Sequence, residues 1–157
     1  MNIFVLDQDT ARSAEFYVDK HIVKMPLETA QLLCTSHYGN SDFIPPYKKS
    51  HVNHPCNVWL RESISNYRWL IQLGLSLCDE YEYRYGRVHK CKEVILWCKE
   101  NEPNLPNVAL TPFALAMPNE YKRSDAIESY RTYYTLGKTH LFSWKKRSTP
   151  TWLTQNN

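Results

Sequence analysis

Residues 17–35 read YVDKHIVKMPLETAQLLCT, and this stretch decides the fold. Steps of four and three residues through it give Tyr17, His21, Lys24, Glu28, Gln31 and Thr35, each polar or carrying a polar handle. On an α-helix these stand above one another on one face. Phe16, Val18, Ile22, Val23, Met25, Leu27, Ala30, Leu32 and Leu33 flank the stripe on both sides. A helix apolar over most of its circumference is largely buried, so the stripe either faces a narrow strip of solvent or lines a cleft. Pro26 falls in its middle and predicts a kink near Ile22 or a split into two helices. A kink that frees a carbonyl beside His21 and Lys24 favours the cleft.

Outward from this stretch the pattern stays helical. Ile3 to Leu6 are a short strand or an extended arm packed on the core, and Asp9 or Thr10 caps the first helix. His37 to Ser50 is a loop, and Pro55 suits the first position of a long helix over Cys56 to Tyr83. Its core face is Leu60, Ile64, Tyr67, Ile71, Leu75 and Cys78. Gly86 ends or interrupts it, a third helix runs over Val88 to Glu100, and four prolines keep Asn101 to Asn119 irregular. So long an irregular segment is often functional. Asp125 with Glu128 resembles a capping box opening a helix that stops at Gly137. The expectation is one compact all-α domain over 1–157 with about four to six helices. A basic aromatic segment at 138–157 closes it, with its last residues frayed.

Composition narrows the class. A chain of 157 residues, 43% apolar and 22% charged, buries a core without staples and is not disordered. Four unclustered glycines and no GxSxG speak against a classical nucleotide-binding fold or a serine hydrolase. Cys34, Cys56, Cys78, Cys91 and Cys98 form no CxxC and read as reduced core thiols. No targeting signal or long apolar run is visible, so a cytoplasmic location without membrane association is expected. The net charge of +3 does not by itself imply nucleic acid.

Four constellations could carry chemistry. His21, Lys24 and Glu28 follow one another turn by turn, with Lys20 nearby. On a dry face Glu28 would serve as general acid or base and Lys24 as nucleophile; on an exposed face they form only an i,i+4 ion pair. His51, Asn53 and His54 stand before Pro55, where helix N–H groups accept an anion, or else Asn53 caps the helix between solvated histidines. His21, His51, His54 and His89 show no HxxxH or HxH spacing, and no metal or other cofactor is expected. Asp7 and Asp9 form a DxD pair, read chiefly as the Asp9 cap. Tyr130, Arg131, Tyr133, Tyr134, Lys138, His140, Phe142, Trp144, Lys145, Lys146, Arg147 and Trp152 interleave rings and cations, as single-stranded nucleic acid requires. The alternative is that the rings are core and the three consecutive cations a solvated patch.

Several motifs carry a resemblance. Asp19-Lys20-His21-x-Val23-Lys24-Met25 with Glu28-Thr29-Ala30-Gln31, His51-x-Asn53-His54-Pro55, Tyr83-Arg84-Tyr85-Gly86, Thr111-Pro112-Phe113, Met117-Pro118, and Trp144-Lys145 with Pro150-x-Trp152 resemble a family of small, largely uncharacterised tailed-bacteriophage proteins. More distantly, the short N-terminal segment, Asn53-His54-Pro55 and the Tyr130–Lys138 region resemble the pyrimidine-dimer DNA glycosylases of phages and bacteria. In those enzymes the N-terminal amine attacks the sugar and a glutamate on the first helix assists. Here Asn2 disfavours removal of Met1. Lys20 and His21 stand at the corresponding part of the helix, and Glu28 lies about two turns on. The resemblance therefore implies either chemistry carried by Lys24 and Glu28 or a shared fold alone.

The leading expectation is a phage-encoded nucleic-acid enzyme of an infected cell, acting on a base or its N-glycosidic bond in the manner of a DNA glycosylase/lyase. His21, Lys24 and Glu28 would be catalytic. Lys20, His51, Asn53, His54, Arg61, Arg131, Trp144, Lys145, Lys146 and Arg147 would hold the DNA or nucleotide ligand. The alternatives are a non-enzymatic phage accessory protein that sequesters a nucleotide or inhibits a host protein, and an enzyme modifying free nucleotides.

Overall fold

The computed structural model describes residues 1–155; the frayed end expected of the chain falls partly on Asn156 and Asn157, outside the described residues. Within them the chain forms α1 (Thr10–Phe16), α2 (Asp19–Thr35), α3 (Pro55–Arg61), α4 (Ile64–Tyr85), α5 (Lys92–Glu100), α6 (Ala126–Gly137) and α7 (Thr151–Gln155), with 3-10 turns at Asn119–Tyr121 and Thr139–Leu141. The fold is all-α. Residues 3–6 are the extended arm, and no strand occurs among the described residues.

Local chemistry explains the boundaries. Asp9 caps α1 by accepting from the Ala11 and Arg12 N–H groups, and Asp125 caps α6 by accepting from Glu128 N–H. The break expected at Pro26 lies instead at Tyr17 and Val18, both extended, while Pro26 sits inside α2. The helix expected over Cys56–Tyr83 is two helices. Ser63 is extended and accepts from Ser65 N–H, which restarts the helix where the apolar spacing alone runs on unbroken. Gly86, at φ 72°, ends α4 in the left-handed conformation that glycine adopts freely. The third helix begins only at Lys92, after His89 has turned the chain by accepting from Cys91 N–H.

Helix α4 is the centre of the molecule and packs against α1, α2, α3 and α5. Gly74 permits a close approach: a Cβ there would stand 3.0 Å from a Thr29 methyl and 3.1 Å from Ile95. All five cysteines are free and buried. Residues 101–118 stay irregular but are bonded throughout, with Pro106 and Val108 accepting from Ile64 N–H and Ser63 Oγ, and Asn66 clasping Thr111. The arm Ile3–Leu6 is buried in the core. Its Phe4 lies among Tyr17, His21, Tyr130 and Tyr134, bringing the N-terminus to α2. No helix of the described residues is long and apolar enough to cross a membrane.

Candidate active site

The polar stripe of α2 is neither a solvated face nor uniformly buried. Tyr17, His21, Glu28 and Thr35 are buried, whereas the apolar Val23 and Leu27 are exposed. The reason is tertiary: the N-terminal arm and α6 supply the polar partners. Tyr17 donates to the Phe4 carbonyl at 2.8 Å.

Asn2 fixes the start of the chain. Its Nδ2 donates to the Ala116 carbonyl at 2.8 Å, and its Oδ1 accepts from Ile3 N–H at 2.8 Å and from the Cys56 thiol at 3.8 Å. So held, Met1 places its amine 3.2 Å from Glu28 Oε1, with the two side chains only 4% and 8% exposed. This is a charge contact, not an aligned hydrogen bond: Oε1 is buried and accepts no hydrogen bond. From the other side Lys24 Nζ, on a side chain 70% exposed, lies 3.6 Å from Glu28 Oε2. Of the two partners of Glu28, Met1 has a buried side chain and Lys24 an exposed one.

Met1, Glu28, Lys24 and His21 line one cavity of about 240 Å³, walled also by Phe4, Tyr133 and Lys138. His21 stacks on Phe4 with ring centres 4.3 Å apart, and its Nδ1 is 2.6 Å from the Tyr134 hydroxyl. Burial keeps Tyr134 protonated far above its usual range, and its oxygen receives Val18 N–H at 3.4 Å, so the hydroxyl proton goes to Nδ1. This network assigns the ring proton to Nε2. Burial, helped by the positive Lys138, Lys24 and His140, lowers the His21 pKa to about 3. The imidazole is a neutral donor. Lys138 closes the rim, its ammonium 4.8 Å from the Tyr133 ring centre, and Tyr133 stacks on Tyr121.

The remaining candidates divide. His54, one of the two caps the sequence offers, caps α3 by accepting from Cys56 N–H, while Asn53, the other, is exposed. Its pKa is lowered by burial and then by the N-terminal amine and His51, which places it beside Met1. Lys20 is exposed on α2. Arg61 donates to the Val52 carbonyl. The charges and rings of the C-terminal region are largely engaged within the fold. Arg131 binds Asp7 and the Leu6 carbonyl, and Arg147 forms a two-pronged pair with Glu80. Trp144 donates to Phe16 and Lys146 to Tyr83, and Lys145 lies over the Tyr85 ring. Sequence reasoning missed the Met1 amine, Phe4 and Lys138 as cavity residues; the available signal was the cluster Tyr133–Lys138 in the block resembling the glycosylases.

The sequence model of the family described as pyrimidine dimer DNA glycosylase matches residues 1–93. The chain belongs to this family. No curated protein and no solved structure gives a significant match. The glycosylase match contains the arm, all of α2 and the His51–Pro55 element, and so every residue of the cavity except those from Ala116 onward. Its function is DNA glycosylase-like in general.

Proposed function

We propose that the protein is a DNA glycosylase with lyase activity in which the Met1 amine is the nucleophile and Glu28 its proton acceptor. The observation carrying this reading is the Met1–Glu28 contact at 3.2 Å, on the wall of a cavity that both residues line. The amine attacks as a free base after giving a proton to Glu28. Its lone pair bonds to C1′ of the nucleotide as the N-glycosidic bond breaks, and the base leaves with the bonding electrons and takes up a proton. Ring opening then gives an imine, which permits elimination of the 3′ phosphate. Glu28 is the base for these proton transfers, and His21 Nε2–H donates to sugar oxygen or departing base.

Size constrains the substrate. At about 240 Å³ the cavity is below the roughly 300–1,000 Å³ of drug-sized ligand sites. It suits one sugar with its C1′, reached by flipping the nucleotide from the stack; a lesion joining two pyrimidines, the substrate class in the family's name, would lie across its mouth. Lys24 and Lys138 at the rim meet phosphates.

The competing reading has Lys24 as nucleophile, since its ammonium touches the same carboxylate. Borohydride trapping on an ultraviolet-irradiated or abasic duplex separates the two. With Met1 as nucleophile, extension of the chain by residues ahead of Met1 and Glu28→Gln each lower trapping by about a hundredfold or more, and Lys24→Ala retains it. Loss in Lys24→Ala with retention in the extended chain reverses the assignment. Full activity in both Glu28→Gln and the extended chain refutes the site.

A further inference from the structure

A second cavity, of about 350 Å³, lies where the end of α2 meets the loop before α3 and is lined by Thr35, Tyr38, Lys49, Val52 and Arg61 among others. No carboxylate among the described residues lines it. Arg61 Nη2 is spent on the Val52 carbonyl at 2.9 Å, but Nη1 is buried without a hydrogen-bond partner among the described residues. A buried guanidinium nitrogen left unpaired is costly. Lys49 is exposed and forms no ion pair among the described residues. Arg61 and Lys49 line the same cavity, and a guanidinium with an ammonium around one cavity suits a phosphate.

The wall is built, not incidental. His51 holds φ 51°, a conformation uncommon outside glycine, asparagine and aspartate, and such strain persists only where surroundings enforce it. Asn57 enforces it by donating to both the Ser50 and His51 carbonyls, at 3.0 and 2.7 Å, and Ser50 N–H donates to Thr35. Thr35 is seven residues beyond Glu28 on the same face of α2, so the two cavities stand roughly 10 Å apart along the helix. At about 3.4 Å of rise per nucleotide of a strand, that is about three nucleotides.

We infer that Arg61 and Lys49 bind one backbone phosphate of the DNA strand about three nucleotides from the nucleotide held at Met1 and Glu28. This assignment rests on the glycosylase reading of the first cavity. It makes the polar face of α2 the floor along which the strand runs, from Lys24 past Gln31 to Thr35.

The test is equilibrium binding of a duplex carrying one stable abasic analogue, with neutral methylphosphonates placed singly at each neighbouring position. Wild type should lose affinity severalfold at one position about two to four nucleotides from the analogue. Lys49→Gln and Arg61→Gln should each reduce the salt slope by about one and become indifferent to that methylphosphonate. Lys49 is exposed, so Lys49→Gln keeps the test valid if Arg61→Gln fails to fold. A wild type insensitive at every position, or variants with an unchanged slope, overturns the inference. So does inorganic phosphate binding that is lost in Arg61→Gln while DNA binding is unaltered, which would make the cavity a free-anion site. Binding with the expected pattern but no borohydride trapping keeps this pocket and removes the lyase reading. Trapping without any methylphosphonate effect removes the pocket alone.

Discussion

His21 shows how a single residue couples stability to the site. Its pKa falls from 6.5 to about 3 because burial between Phe4 and Tyr134 penalises the charged ring, with nearby cations adding to the effect. The unfolded chain therefore binds a proton that the folded one refuses, and stability is full above about pH 6.5 and declines as the pH falls towards 3. At pH 5 the penalty is about 2 kcal/mol. Denaturant titrations at pH 7 and pH 5 should show the difference between the two pH values reduced in His21→Gln by about 2 kcal/mol; an unchanged difference would mean that the ring is charged in the fold. His37, lowered to about 4 by burial, should leave a residual slope in that variant. That His21, Lys24 and Glu28 of α2 share one cavity was legible in the sequence because i, i+3 and i+4 spacing is local. The Met1 amine was not. Asn2 read as a signal that Met1 stays, and only the fold shows Asn2 as the anchor that aims Met1 at Glu28.

At the scale of elements, the close approach at Gly74 sets the relation of α4 to α2 and α5. A larger side chain there meets Thr29 and Ile95 at little more than 3 Å, one residue along from Glu28. Gly74→Val should destabilise by about 1–3 kcal/mol and displace α2, so that trapping activity falls at temperatures where the variant is still folded. Thermal unfolding with a parallel activity assay checks this; wild-type activity in a destabilised variant would show that α2 keeps its place without the close contact. Helix existence was readable from apolar spacing and from the caps at Asp9, Asp125 and Gly86. The interruption at Ser63 was not, since Leu60 and Ile64 continue one periodicity across it. Burial on α2 was misjudged at Val23 and Leu27 because polar partners arrive from residues more than a hundred positions away, such as Tyr134.

Across the whole molecule, the basic C-terminal region works largely as a clasp. Ser143 and Lys145 bind Asp19 at the start of α2, and Arg147 joins Glu80, which also holds the fully buried Arg84. Burial alone would raise the Asp19 pKa, but Ser143, Lys145 and Arg84 hold it below the usual carboxylate range. Sequence composition could not distinguish such a clasp from a phosphate surface, because Glu80 and Asp19 are far away along the chain. The clasp fixes α2, the arm crosses it, and the two together bring Met1 to Glu28. Borohydride reduction of the protein on an abasic duplex, followed by peptide mapping with mass spectrometry, tests this arrangement most directly. The sugar adduct should lie on the α-amine of Met1. An adduct on Lys24 Nζ, or none at all, would contradict the account.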